Sequence, residues 1–160
     1  MNKSNGYLIF LTLVATLGGL LFGYDTAVIS GTVKSLDLNS VVPLGLDETA
    51  TSSLLGFAVS SALIGCVIGG LIGGVMATRL GRKRSLMAAA VLFIVSAVGS
   101  AYPEMGFGDG DPHEFLPHFI VYRIIGGIGV GLASMLSPMY IAEMAPAGRR
   151  GSLVSWDQFA

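Results

Sequence analysis

Three charged residues stand where the surrounding sequence is apolar: Asp25, Arg123 and Glu143. A charge at the centre of a bilayer costs about 2.5–3.5 kcal/mol on an insertion scale, so such residues face a bundle interior, take partners and mark function. Asp25 and Arg123 are natural partners. Asp25 lies about nine residues, roughly 13 Å, below Lys34, and Arg123 about six residues, roughly 9 Å, below Pro117 if both segments are helical. Both fall in the outer half at similar depth, so contact is geometrically allowed. Arginine stays charged at any working pH. A carboxylate beside it stays ionised, whereas a buried carboxyl without it favours the neutral form. Two readings of the pair stay open, a proton switch and a static ion pair that fixes helix register. Glu143 stands toward the end of its segment, in the zone of Arg79, Arg82, Arg84, Arg149 and Arg150. That arrangement reads either as a gate of charge pairs or as an ordinary interfacial charge.

The elements that must position these residues belong in lipid. Hydrophobic residues make up 52% of the 160, charged residues 12%, and mean hydropathy is +0.74. Soluble domains carry about 25% charged residues. A membrane helix needs about 20 apolar residues, and four segments qualify, at about 7–32, 52–77, 85–102 and 117–145. A fifth starts near Ser152 and runs to Ala160, so the chain reads as stopping inside an element. The first segment is too long for a signal peptide and no small-residue cleavage pattern follows it. Basic residues collect at Lys3, at Arg79, Arg82, Lys83 and Arg84, and at Arg149 and Arg150. The loop after the third segment has Glu104, Asp109, Asp111 and Glu114 but no lysine or arginine. The positive-inside rule then puts the N-terminus and the basic loops in the cytoplasm.

Other candidates carry less. Gly65, Gly69 and Gly73 recur every fourth residue, Gly70 and Gly74 form a second row, and Gly19 with Gly23 and Gly127 with Gly131 repeat the spacing. Such stripes let helices approach closely. Cys66 reads as a small packing residue. His113 and His118 share the acidic loop region, but their spacing matches no metal-ligand pattern, and no metal or cofactor is expected. Net charge is −1 without a basic patch of the kind that binds nucleic acid. Catalytic triads, metal clusters and phosphate loops are not apparent, so an enzyme is not expected.

Longer patterns add a resemblance. Gly19-Leu20-Leu21-Phe22-Gly23-Tyr24-Asp25-Thr26-Ala27-Val28-Ile29-Ser30-Gly31 is similar to the first helix of the sugar porter family in the major facilitator superfamily. Gly73-Gly74 followed by Arg79-Leu80-Gly81-Arg82-Lys83 resembles that superfamily's loop between helices two and three. Ile125, Gly127, Ile128, Gly131, Tyr140, Glu143 and Arg150 stand at the spacing of the family's signature. The resemblance implies an all-α membrane protein. It would comprise four transmembrane helices and the start of a fifth, from the N-terminal six-helix half of a twelve-helix carrier that works by alternating access.

The same resemblance implies roles. Asp25 and Arg123 match a proton-coupling pair. Phe22 and Gln158 match sugar contacts. Gly81, Arg82, Glu143 and Arg150 match an intracellular gate. A proton and a monosaccharide, a pentose such as xylose, are the implied cargo. The bilayer and the remaining helices of the same chain are the implied partners, and the inner membrane the implied location. Two positions depart from the pattern: Thr78 stands where many members have aspartate, and Asp157 where asparagine is common. A facilitative sugar carrier of the same fold and a four-helix membrane scaffold are the alternatives.

Overall fold

A computed structural model describes residues 23–34, 45, 47–102, 116–148 and 150–159, with Leu13, Leu17, Leu20 and Leu36 as isolated positions and 156–159 in backbone only. The described residues are helical apart from short turns. Helix α1 carries residues 23–34, α2 is Glu48–Arg79, α3 is Arg82–Ala101, α4 is Leu116–Met144 and α5 is Arg150–Phe159. Helices α2, α3 and α4 are each long and apolar enough to cross a membrane.

Helix α2 starts at Glu48, ahead of the apolar run, because the acidic residue in its first turn suits the positive end of the helix. Lipid offers no hydrogen bonds, so polar side chains in these helices turn back on their own backbone. Ser60 Oγ donates to the Gly56 carbonyl at 2.7 Å, Ser61 Oγ to Ala58 at 2.7 Å, and Thr32 Oγ1 to Ile29 at 3.0 Å. These bonds let hydroxyls sit in apolar segments at little cost.

Helix α4 is the centre of the packing. Half of its most apolar stretch is buried, against 22% for those of α2 and α3. It packs along both of those helices, which themselves barely meet, and α5 folds back onto it. The α2–α4 seam is made by glycine. A Cβ placed on Gly65 would strike the Ile124 carbonyl oxygen, one on Gly69 the Ile128 oxygen, one on Gly127 the Ala62 oxygen and one on Gly131 the Cys66 oxygen. The second row is different: a Cβ on Gly70 meets nothing within 4 Å, and one on Gly74 meets only the Met135 methyl at 3.4 Å. Gly23 is open too, while Gly19 lies outside the described residues.

The α3–α4 seam uses small residues and one polar tie. Gly99 takes the Tyr122 ring, Gly126 takes Ser96, and Ser96 Oγ donates to the Tyr122 carbonyl at 2.6 Å. Two apolar clusters close the ends. Ala77, Ala89, Leu132 and Leu136 form one. Ala58 and Leu116, with Leu36 of the first-helix region against them, form the other.

Candidate functional site

Helix α1 presents Asp25, Ile29 and Val33 on one face, spaced four apart, and this is the face that is wholly or partly buried. On α4 the buried face runs Phe119, Arg123, Gly126, Gly127 and Val130. Helical spacing therefore aims Asp25 and Arg123 at each other. Arg123 Nη1 donates to both Asp25 oxygens, at 2.7 Å each. Arg123 is 7% exposed as a residue, and the Asp25 side chain is 29% exposed.

This geometry is not the two-nitrogen fork that arginine forms with a carboxylate at full strength. One nitrogen serves both oxygens, and Arg123 Nε is buried with no hydrogen-bond partner among the described residues. The guanidinium thus keeps donor capacity in reserve. A second acceptor brought to Arg123 would compete for it.

A second charged centre lies roughly 30 Å away, twenty residues further along α4. Arg82 Nη2 meets Glu143 Oε1 at 2.7 Å, and Arg82 Nη1 donates to the Ala77 carbonyl at 3.3 Å. One side chain at the start of α3 thereby ties the end of α2 to the end of α4. Gly81 aims it: φ 83° and ψ 152° is a backbone conformation open to glycine almost alone. The side chains of Arg82 and Glu143 are 33% and 48% exposed, so the pair adds little stability and breaks easily. Arg150 is exposed at the start of α5 and, among the described residues, makes no ion pair with Glu143. Thr78 is exposed and donates to the Val75 carbonyl at 2.9 Å.

Of the expected sugar contacts, Phe22 lies outside the described residues. Gln158 is in α5, where only the backbone is described. Lys3, His113, Arg149 and the acids of the 103–115 segment also lie outside. His118 belongs to the first turn of α4 rather than to the loop. No group of three or more His, Cys, Asp or Glu comes together among the described residues. Sequence reasoning missed the Ser96–Tyr122 tie and Pro138 inside α4. A lone serine in the middle of an apolar run was the available signal for the first.

Comparison with known proteins adds the relatives. The model of the "Sugar (and other) transporter" family matches residues 11–160. The D-xylose-proton symporter of Escherichia coli K12 is 62% identical over 98% of the chain, which covers 34% of that protein. The glucose facilitated diffusion protein of Zymomonas mobilis is 41% identical over 99% of the chain and 33% of its own length. A solved structure of a proton:xylose symporter of the major facilitator superfamily, bound to 6-bromo-6-deoxy-D-glucose, superposes with a TM-score of 0.93 at 61% identity. It covers 98% of this chain and 35% of that one. The chain thus spans about a third of the length of the relatives it matches.

Proposed function

The chain belongs to the sugar (and other) transporter family, and from that premise we propose that it carries the proton-coupling part of a sugar–proton symporter. The cargo is a monosaccharide, a pentose such as xylose, moved with a proton by alternating access. It is a multi-pass membrane protein, here assigned to the inner membrane with its N-terminus in the cytoplasm. The basic residues between α2 and α3 and at the start of α5 support that orientation.

The observation that carries this reading is the buried Asp25–Arg123 contact. Asp25 takes the proton. With Asp25 ionised, Arg123 is held on α1. With Asp25 neutral, Arg123 is released and α4 is free to shift against α1. Asp25 has no second cation among its described ion-pair partners, so loss of this contact leaves protonation as its route to neutrality. At the other end of α4, Gly81, Arg82, Glu143 and Arg150 form the inner gate, with Arg82–Glu143 as its latch. Phe22 and Gln158 contact the sugar, the ring against the aromatic and a hydroxyl on the amide.

The test is Asp25→Asn in the full-length carrier. Uphill sugar accumulation is lost, while exchange of sugar across the membrane persists. Unimpaired accumulation against a gradient refutes the proton role. A facilitative carrier is the second reading, favoured by the 41% identity to a facilitated diffusion protein. Sugar added to lightly buffered cells decides: a symporter turns the medium alkaline, and a facilitator does not.

A further inference from the structure

The turn between α2 and α3 concentrates charge that no described residue neutralises. Arg79, Lys83 and Arg84 are all exposed. None has an ion-pair partner among the described residues, and Glu143, a described acid at this end, is taken by Arg82. The first turn of α3 contains no acidic residue, and Gly81 provides no side-chain cap. Cations there oppose the helix dipole, whose positive end calls for an anion.

Directly beneath them runs an apolar stripe. Met87, Val91, Ile94 and Val98 are 60%, 59%, 61% and 49% exposed and recur at helical spacing. At 100° per residue, Lys83 and Arg84 flank the line of this stripe on either side. Its length from Met87 to Val98 is roughly 16 Å, about the depth of one leaflet of a hydrocarbon core some 30 Å thick. A cationic clamp above an apolar strip one leaflet deep is complementary to a molecule with an anionic head and a long acyl tail.

We propose that the α2–α3 turn and the outward face of α3 bind an anionic phospholipid of the adjacent leaflet. Its phosphate sits among Arg79, Lys83 and Arg84, and an acyl chain lies along Met87, Val91, Ile94 and Val98. The site depends on the chain's spanning a membrane and not on what it transports, so it stands or falls apart from the symport reading. It also has a mechanical consequence. Arg82, in the same turn, latches to Glu143, and a lipid anion held by its neighbours leaves Arg82 to its own partner.

Native mass spectrometry of the full-length carrier, purified in detergent with equal phosphatidylglycerol and phosphatidylethanolamine, tests the site. Phosphatidylglycerol is retained in preference. Lys83→Gln with Arg84→Gln lowers its retention about fivefold per charge removed, and so ~25-fold for the pair, without lowering that of phosphatidylethanolamine. Lys83→Arg keeps the preference, which separates charge from fold. Lys34→Gln, an exposed lysine at the far end of α1, changes neither. Equal phosphatidylglycerol retention in parent and double variant overturns the proposal, as does an equal loss in Lys34→Gln. Displacement of the lipid by millimolar inorganic phosphate also overturns it, since that outcome describes a site for soluble anions.

Discussion

Replacing Gly65 by alanine is the smallest change that tests how α2 and α4 are joined. The new Cβ would meet the Ile124 carbonyl oxygen, with Ile128 N at 2.8 Å and the Gly127 Cα at 2.9 Å. All three are backbone atoms, so no rotamer change relieves the contact, and the two helices must part. Gly69, Gly127 and Gly131 are equally tight along the same seam, so tilting about one of them closes another. A separation of about 1 Å forfeits up to half the dispersion energy along an interface, and overpacking costs about 1–3 kcal/mol. The upper half of that range, about 2–3 kcal/mol, is expected for Gly65→Ala. Gly70→Ala is the internal control. Its Cβ meets nothing within 4 Å, and glycine is the poorer helix former by about 1 kcal/mol, so it is neutral or stabilising. Gly73→Ala falls between them, because its nearest neighbour is the flexible Met135 thioether, with Sδ at 2.9 Å. Unfolding of the full-length carrier by SDS in mixed micelles measures all three. If Gly65→Ala lies within 0.5 kcal/mol (about the spread of a neutral surface change) of Gly70→Ala, the assignment of the packed row is wrong.

Other outcomes follow from the two charged centres and the turn. Asp25→Leu strands the buried Arg123 charge and costs about 3 kcal/mol, most of it recovered when Arg123→Leu is added; the same unfolding titration run as a double-mutant cycle measures the coupling. Gly81→Ala costs about 1–3 kcal/mol, and Gly81→Asn is no better, because ψ 152° lies outside the left-handed helical region that asparagine tolerates. Arg82→Gln changes stability by less than about 1 kcal/mol, as its half-exposed pair implies, yet alters the balance of inward- and outward-facing states seen by cysteine labelling of the inner side. Ser96→Ala removes the 2.6 Å bond to Tyr122 and costs about 0.6 kcal/mol, the mean for hydrogen bonds between membrane helices.

Much of the helical membrane fold was legible because lipid is an exacting solvent. It demands long apolar runs, and it makes Asp25 and Arg123 conspicuous. That they could touch was open to arithmetic, since both helices rise by the same amount per residue, but not that they do. What could not be read was direction around a helix axis. Helix α2 carries apolar residues on every side and glycine at both 69 and 70, so spacing could not choose which row meets α4. Glu143 was expected in the same zone as five arginines, and the turn at Gly81 selects Arg82 from among them. The Ser96–Tyr122 tie depends on a main-chain carbonyl, which no side-chain pattern reveals.

The central place of α4 also sets an order of assembly. Helices α2 and α3 emerge from the ribosome before α4 and barely touch each other. Until α4 arrives, the glycine seam of α2 has only lipid to face. When α4 does arrive it brings Arg123, which alone in the membrane costs about 2.5–3.5 kcal/mol to insert. The carboxylate that relieves this cost is already present on α1, made nearly a hundred residues earlier. The pair thus bears on insertion as well as on the finished protein: α4 inserts at less cost where α1 is already nearby, and α2 and α3 then close on it from two sides.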